Sequence, residues 1–119
     1  MTTTVTVVGT LGRDPELRYT GGATPLCNFS VASTRKYERN GVQEEETTWI
    51  DVTAWGSLAE NAAASLSKGA RVIVSGRLKT ETWEDRETQA KRSKLSLQAD
   101  AIGPDLRWAT VIIEKVERT

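Results

Sequence analysis

Apolar and polar residues alternate along most of this chain, which is the pattern of β-strands that bury one of their two faces. The alternation predicts strands over residues 4–11, 26–37, 47–55, 70–83 and 94–102. The runs are short, and several contain the β-branched residues that favour strands. The sequence therefore predicts a domain built mainly of strands.

The segments between these strands carry signals of their own. Asn40 and Gly41 separate the second strand from the third and predict a tight hairpin, because both residues tolerate positive φ. Residues 12–25 are interrupted by glycines and prolines, which is typical of a long connection. The alanine-rich segment 57–68 has a helical period and is followed by Gly69, a common helix stop. One helix is thus expected among the strands.

Three strands, a helix and two further strands are the connectivity of the OB-fold, a five-stranded Greek-key barrel. The fold class predicted is all-β with one helix, and the 119 residues are enough for one domain with its own core, covering 1–119. An additional C-terminal strand is expected within 105–119. OB barrels bind oligonucleotides, oligosaccharides and proteins, so the fold alone does not give the function.

Two strands have features of a subunit interface. The first strand is flat, apolar and uncharged around Val5 and Val7, and it would be an exposed edge unless another chain pairs with it. Residues 106–116 carry apolar side chains on both faces, which predicts contact with a neighbouring subunit through Trp108 and Ile112. The alternative is that this last strand packs only on its own barrel.

Three tryptophans fall on the polar faces of their strands. In strand 47–55 the small aliphatic residues occupy the even positions, while Trp49 and Trp55 share the odd positions with an aspartate. A core seldom takes an unpaired aspartate, so the odd face is expected to point outward. Trp83 is placed in the same way on strand 70–83. These rings are therefore available for contact with a partner.

Basic residues accompany the tryptophans. Flat aromatic faces accept a stacked base of any identity, while lysine and arginine take the phosphates. This combination indicates binding of single-stranded nucleic acid with little sequence preference. The candidate phosphate contacts are Arg35, Lys36, Arg77, Lys79 and Arg86. A subunit interface remains the alternative for the tryptophans, and a solvated hairpin for Arg35 and Lys36.

Composition narrows the function further. The chain has no histidine, and its acidic residues occur as surface-like runs, so we expect no enzymatic activity, no metal and no cofactor. The lone Cys27 is expected to be a small buried hydrophobe. With 16 basic and 16 acidic residues, any basic footprint must come from segregation of charge between faces. No apolar run approaches a membrane span and no signal peptide is visible, so a cytoplasmic location is expected.

The chain resembles bacterial single-stranded DNA-binding proteins of the homotetrameric OB-fold type, most of all the actinobacterial branch. The segments that carry this resemblance are "VVGTLGRDPELRYTGG", "CNFSVAS", "TTWIDVTAWGSLAENAAASLSKGARVIVSGRLKTETWED" and "AIGPDLRWATV". It implies a protein that coats and protects single-stranded DNA on the nucleoid during replication, recombination and repair. It also implies a homotetramer, with the C-terminal strand as a clamp between subunits.

The resemblance places four stacking aromatics on Tyr37, Trp49, Trp55 and Trp83. Strand parity alone turns Tyr37 toward the core, so its orientation stays open. The family's flexible linker and acidic tail, which recruit replication and repair proteins, do not follow "IIEKVERT", so partners recruited through a tail are not expected of this chain. A tail-less accessory paralogue, a primosomal or RNA-binding OB protein, and an assembly module with its tryptophans between subunits are the alternatives.

Overall fold

The computed structural model describes residues 2–117. This part of the chain contains six β-strands and one α-helix. In chain order they are β1 (Thr4–Leu11), β2 (Glu16–Thr20), β3 (Thr24–Arg39), β4 (Val42–Trp55), α1 (Ser57–Ser65), β5 (Arg71–Glu84) and β6 (Lys91–Pro104).

The strands form one sheet that closes into a barrel. Their order is β1-β5-β6-β4-β3-β2, and a second pairing of β1 with β3, at Thr10 and Leu11, completes the closure. The pairing of β4 with β6 is parallel and the other pairings are antiparallel. With α1 between β4 and β5, this is the connectivity of an OB barrel. The predicted fold class is confirmed.

The core fills the inside of the barrel, and the predicted alternation accounts for it. Val52 and Ala54 on β4 are buried, as are Phe29 and Val31 on β3. Cys27 is fully buried and unpaired, as expected. Helix α1 contributes two buried alanines, Ala59 and Ala62, and closes the barrel where β4 ends.

Helix α1 ends three residues earlier than its sequence period predicts. Leu66 has φ −106° and ψ 151°, an extended conformation that cannot continue the helix. The backbone N–H of Lys68 instead donates a hydrogen bond to Oδ1 of Asp14, at 2.8 Å. Gly69 has φ +90°, as a residue that turns the chain toward β5. Tertiary contacts therefore decide where this helix stops.

The hairpin between β3 and β4 has the predicted turn, with φ of 53° at Asn40 and 78° at Gly41. Its two strands pair without interruption from Leu26 with Trp55 to Arg39 with Val42. The part beyond the barrel is a long two-stranded arm. We call residues 33–48 the hairpin arm.

Three predictions need correction. Residues 12–25 are not only a connection, because they contain the edge strand β2, which pairs with β3. Residues 106–116 are not a strand, since the segment that follows Pro104 has no sheet pairing up to residue 117. The Val7 side chain lies in the core of its own barrel, with Val5 packed against it, so only the main chain of Val7 is left for another subunit.

Candidate nucleic-acid interface

Three tryptophans lie on one outer face of the barrel, as the parity of their strands predicts. Trp49 and Trp55 on β4 are 61% and 43% exposed, and Trp83 on β5 is 47% exposed. Strand β6 lies between β4 and β5, with its Ser96 paired to Asp51 on one side and to Lys79 on the other. Paired residues of neighbouring strands share a face. The outer side of β4, β6 and β5 is therefore one continuous surface, which we call the tryptophan face.

An open groove of about 410 Å³ runs along the tryptophan face beside Trp55. Its floor is polar and internally hydrogen-bonded. Ser30 Oγ donates to Asp51 Oδ1 at 2.8 Å, and Thr53 Oγ1 donates to Asn28 Oδ1 at 3.2 Å. Such a floor is wetted readily and offers both donors and acceptors to a ligand.

Two arginines in the groove wall escaped the sequence analysis. Arg13 precedes β2 and Arg18 lies on it, and both line the groove with Trp55. They were missed because residues 12–25 contain glycines and prolines that predict a loop. The pair of threonines and the leucine and tyrosine in "ELRYT" give only a weak strand signal. Pairing with β3 brings them to this surface.

The ring of Trp49 lies over the backbone of Gly12. A Cβ atom added to Gly12 would be 2.6 Å from Cζ3 of Trp49 and 2.8 Å from its Cη2. The missing side chain at this position therefore makes room for the ring. This contact gives the exposed Trp49 a defined place against the segment that leads into β2.

The basic residues of the tryptophan face lie among carboxylates. Arg77 is 3.5 Å from Asp100. Lys94 Nζ is 3.3 Å from Asp51 Oδ2 and 3.6 Å from Glu81 Oε2. Lys79 has its side chain on the same face and forms no ion pair among the described residues. The face is aromatic with charges of both signs, and it is less basic than the count of its lysines and arginines suggests.

Arg86 lies in the turn that connects β5 to β6. The turn is ordered by hydrogen bonds: the N–H of Gln89 donates to the carbonyl of Asp85 at 2.7 Å, and the N–H of Glu87 donates to Asp85 Oδ1 at 2.9 Å. Arg86 is exposed at the tip of this hairpin, three residues beyond Trp83. It is thus the candidate that lies farthest from the barrel.

The hairpin arm separates Tyr37 from the three tryptophans. Tyr37 pairs with Glu44 and lies on the opposite side of the ribbon from Trp49, which pairs with Ala32. It is not part of the core, because the arm has left the barrel at this point. The Arg35 guanidinium lies 4.9 Å from the Tyr37 ring centre. A hydrogen bond to Glu44 raises the pKa of the Tyr37 phenol.

Acidic residues face the two basic candidates of the arm. Arg35 is paired across the strands with Glu46, and Lys36 with Glu45. By parity, Lys36 lies on the side of Trp49 and Arg35 on the side of Tyr37. The structure therefore joins Lys36, Arg77 and Lys79 to the tryptophan face and leaves Arg35 with Tyr37 on the other side of the arm.

Trp108 lies away from the tryptophan face. Asp105 accepts a hydrogen bond from Nε of Arg71 at 2.6 Å, and this contact holds the pKa of the Asp105 carboxyl below its usual value. Arg71 and Arg107 lie 4.9 and 5.1 Å from the Trp108 ring. Arg71 begins β5 whereas Trp83 is near its end, so the two indoles are far apart. Beyond Trp108, Ile112 is 97% exposed.

Among residues 2–117 no group of three or more histidine, cysteine or acidic side chains is arranged to hold a metal ion. No helix in this part of the chain is long and apolar enough to cross a membrane.

The fold and the tryptophan face define an OB barrel with an aromatic outer surface that carries charges of both signs. The chain belongs to the single-strand binding protein family, whose model matches residues 2–105. Proteins of this family are binding proteins. The match covers every strand, the helix and the three tryptophans of the candidate site.

Relatives with the same description come from actinobacteria. The chain is 44% identical over 119 residues to the single-stranded DNA-binding protein of Paenarthrobacter aurescens, covering 98% of this chain and 69% of the relative. It is 46% identical over 120 residues to that of Mycobacterium tuberculosis strain H37Rv, covering 98% and 73%. Its structure is similar to that of the small single-stranded DNA-binding protein from Streptomyces coelicolor, with a TM-score of 0.76, 31% identity and coverage of 89% and 96%.

Proposed function

We propose that this protein binds single-stranded DNA with little sequence preference and acts by coating and protecting it, without catalysis. The observation that carries the proposal is the common outer face of Trp49, Trp55 and Trp83 beside a groove lined by Arg13 and Arg18. Family membership and relatives described as single-stranded DNA-binding proteins support the same ligand.

Stacking is the interaction that the exposed indoles would supply. Each of the three rings has about half of its surface open to solvent, so a base can cover a ring face without rearrangement of the core. Every base has a π-face, and stacking therefore tolerates any sequence. Duplex DNA keeps its bases stacked on one another and offers no free face, so this surface would favour single strands.

The phosphates would be contacted at the margins of the tryptophan face. Arg13 and Arg18 line the groove on the side of β2, and Arg77, Lys79 and Arg86 extend along β5 and its turn. Lys36 would contribute from the hairpin arm. Tyr37 and Arg35 would engage DNA only on the other side of the arm, as part of a path that passes around it.

A homotetramer is the assembly we propose. The side of β1 that faces away from β5 pairs with β3 only at Thr10 and Leu11, so residues 4–9 present an open strand edge. The segment 106–117 leaves its own sheet with Ile112 and Ile113 almost fully exposed. An open edge and a projecting apolar segment both favour burial against other copies of the chain. Linked sites would also lengthen the strand that one assembly covers.

In the cell, such a protein would act on exposed strands of nucleoid DNA in the cytoplasm during replication, recombination and repair. Its recruitment of other proteins is not part of the proposal, because nothing in residues 2–117 resembles an acidic recruitment segment.

Titration of tryptophan fluorescence with oligo(dT) at several salt concentrations tests the proposal. Stacked bases should quench the emission, and log affinity should fall linearly with log salt. A matched oligo(U) and a duplex of the same length distinguish DNA from RNA and single strands from double strands. Absence of quenching together with a stable oligomer would instead favour an assembly role for the tryptophans.

A further inference from the structure

The charged cluster at the centre of the tryptophan face joins the three strands that carry the stacking candidates. Lys94 of β6 lies between Asp51 of β4 and Glu81 of β5, at 3.3 and 3.6 Å. Asp51 lies between Trp49 and Trp55 in the alternation of β4, and Glu81 is two residues before Trp83 on the same side of β5. A strand stacked on rings from both β4 and β5 has to cross this cluster.

The cluster opposes a polyanion in two ways. Two carboxylates outnumber one ammonium group, so its net charge is minus one. Its lysine is also occupied, because both of its ion pairs would have to break or lengthen before Nζ could reach a phosphate. All three side chains are close to half exposed, so the pairs are accessible to a ligand and to salt.

We propose that Asp51 and Glu81 limit the affinity of this protein for single-stranded DNA by holding Lys94 away from the phosphates. The inference rests on the proposed function. A moderate affinity would let the protein be displaced from DNA without a change in its stacking rings. The cluster thereby acts as a determinant of affinity that is separate from the tryptophans.

Removal of the carboxylates tests the proposal. Asp51→Asn keeps an acceptor for the Ser30 hydroxyl, and Glu81→Gln keeps the length of its side chain, so both variants should fold. The double variant should bind oligo(dT) roughly three- to tenfold more tightly at moderate salt. Its salt slope should steepen by up to about 0.7, the value for one additional phosphate neutralised on a single strand. Each single variant should show part of the gain.

Two controls make the result specific. Glu117→Gln changes the net charge by one outside the tryptophan face, and it should leave affinity and slope unchanged. Addition of Lys94→Gln to the double variant should abolish the steeper slope. Melting temperatures and light scattering check the fold and the assembly of each variant.

An unchanged affinity in the double variant would overturn the proposal, as would weaker binding, which would make the carboxylates DNA contacts. A gain that survives Lys94→Gln would also overturn it, because the carboxylates would then act without the lysine. Failure of the unmodified protein to bind any oligonucleotide contradicts the proposed function itself, and this inference with it. Normal binding of the unmodified protein with no effect of the variants contradicts this inference alone.

Discussion

Substitution of Trp49 by alanine is the sharpest test of the stacking surface. Of the three tryptophans on the tryptophan face, Trp49 is the most exposed, at 61%, so its removal disturbs the fold least. It lies where β4 pairs with Ala32 of β3, and its ring is packed only against the segment around Gly12 on the printed contacts of that glycine. We expect Trp49→Ala to weaken the binding of oligo(dT).

The magnitude follows from the loss of one stacked base. Aromatic stacking in single-strand-binding OB-folds contributes about 1–3 kcal/mol per base, which corresponds to a roughly fivefold to 150-fold increase in Kd. Burial of a whole tryptophan removes about 150–250 Å² from water, and about two-fifths of this ring is buried. At about 25 cal/mol per Å², its loss costs at most ~1.5–2.5 kcal/mol of folding free energy. A typical stability of 5–15 kcal/mol leaves the folded state dominant.

Anisotropy of a dye-labelled oligo(dT) is the suitable assay, because it does not depend on the tryptophan that is removed. Leu95→Ala is a matched control. Leu95 is also 61% exposed, but it lies on the opposite side of β6 from Lys94 and the tryptophan face. The control should bind like the unmodified protein, and urea unfolding should show a similar loss of stability in both variants.

Gly12→Ala tests the same ring without removing it. The added methyl group would come within 2.6 Å of the Trp49 ring and has to displace it, since the ring is the movable partner. We expect a smaller loss of affinity than for Trp49→Ala. If Trp49→Ala binds oligo(dT) within about twofold of the unmodified protein while Leu95→Ala does the same, Trp49 is not a stacking residue and the reasoning from its exposure is wrong.

Further predictions concern charge, pH, assembly and packing. Arg77→Gln or Lys79→Gln should each reduce the salt slope of oligo(dT) binding by about 0.7, and an unchanged slope would exclude a phosphate contact. The depressed pKa of Asp105 stabilises the fold above the usual value of 3.8, and this contribution is lost as the pH falls through the lower folded value; acid titration should release the following segment to proteases, a step that Asp105→Asn should not show. Deletion of 106–119 should reduce the mass seen by light scattering more than it weakens binding of a short oligonucleotide. Gly9→Ala should destabilise the barrel by about 1–3 kcal/mol in urea unfolding, because its Cβ would lie 2.5 Å from a carbonyl oxygen of β3; normal stability would show that the sheet can yield there.

The sequence by itself determined the elements that depend on local pattern. Alternation placed the five main strands and put Val52 inside and Trp49, Trp55 and Trp83 outside, because successive side chains of a strand point to opposite faces. The Asn40-Gly41 turn followed from backbone freedom at two residues. These properties need only near neighbours in the chain, so the pattern carries them.

Parity became misleading where a strand outlasts the barrel. Tyr37 shares the parity of Phe29 and Val31, which predicts a core position if the inner face is buried along the whole strand. The hairpin arm has no core beneath it, so the same face becomes a surface. Where a strand leaves its barrel is set by the closure of the sheet, which the local pattern does not encode.

Tertiary structure alone decided which distant residues meet. Lys94 is held by Asp51 and Glu81 only because β6 lies between β4 and β5, and Arg18 reaches the groove only because β2 adds to the edge of β3. The segment 106–116 has the alternation of a strand, yet it pairs with nothing in its own barrel within the described residues. A strand needs a neighbour for its backbone hydrogen bonds, and the presence of that neighbour is a property of the assembled structure.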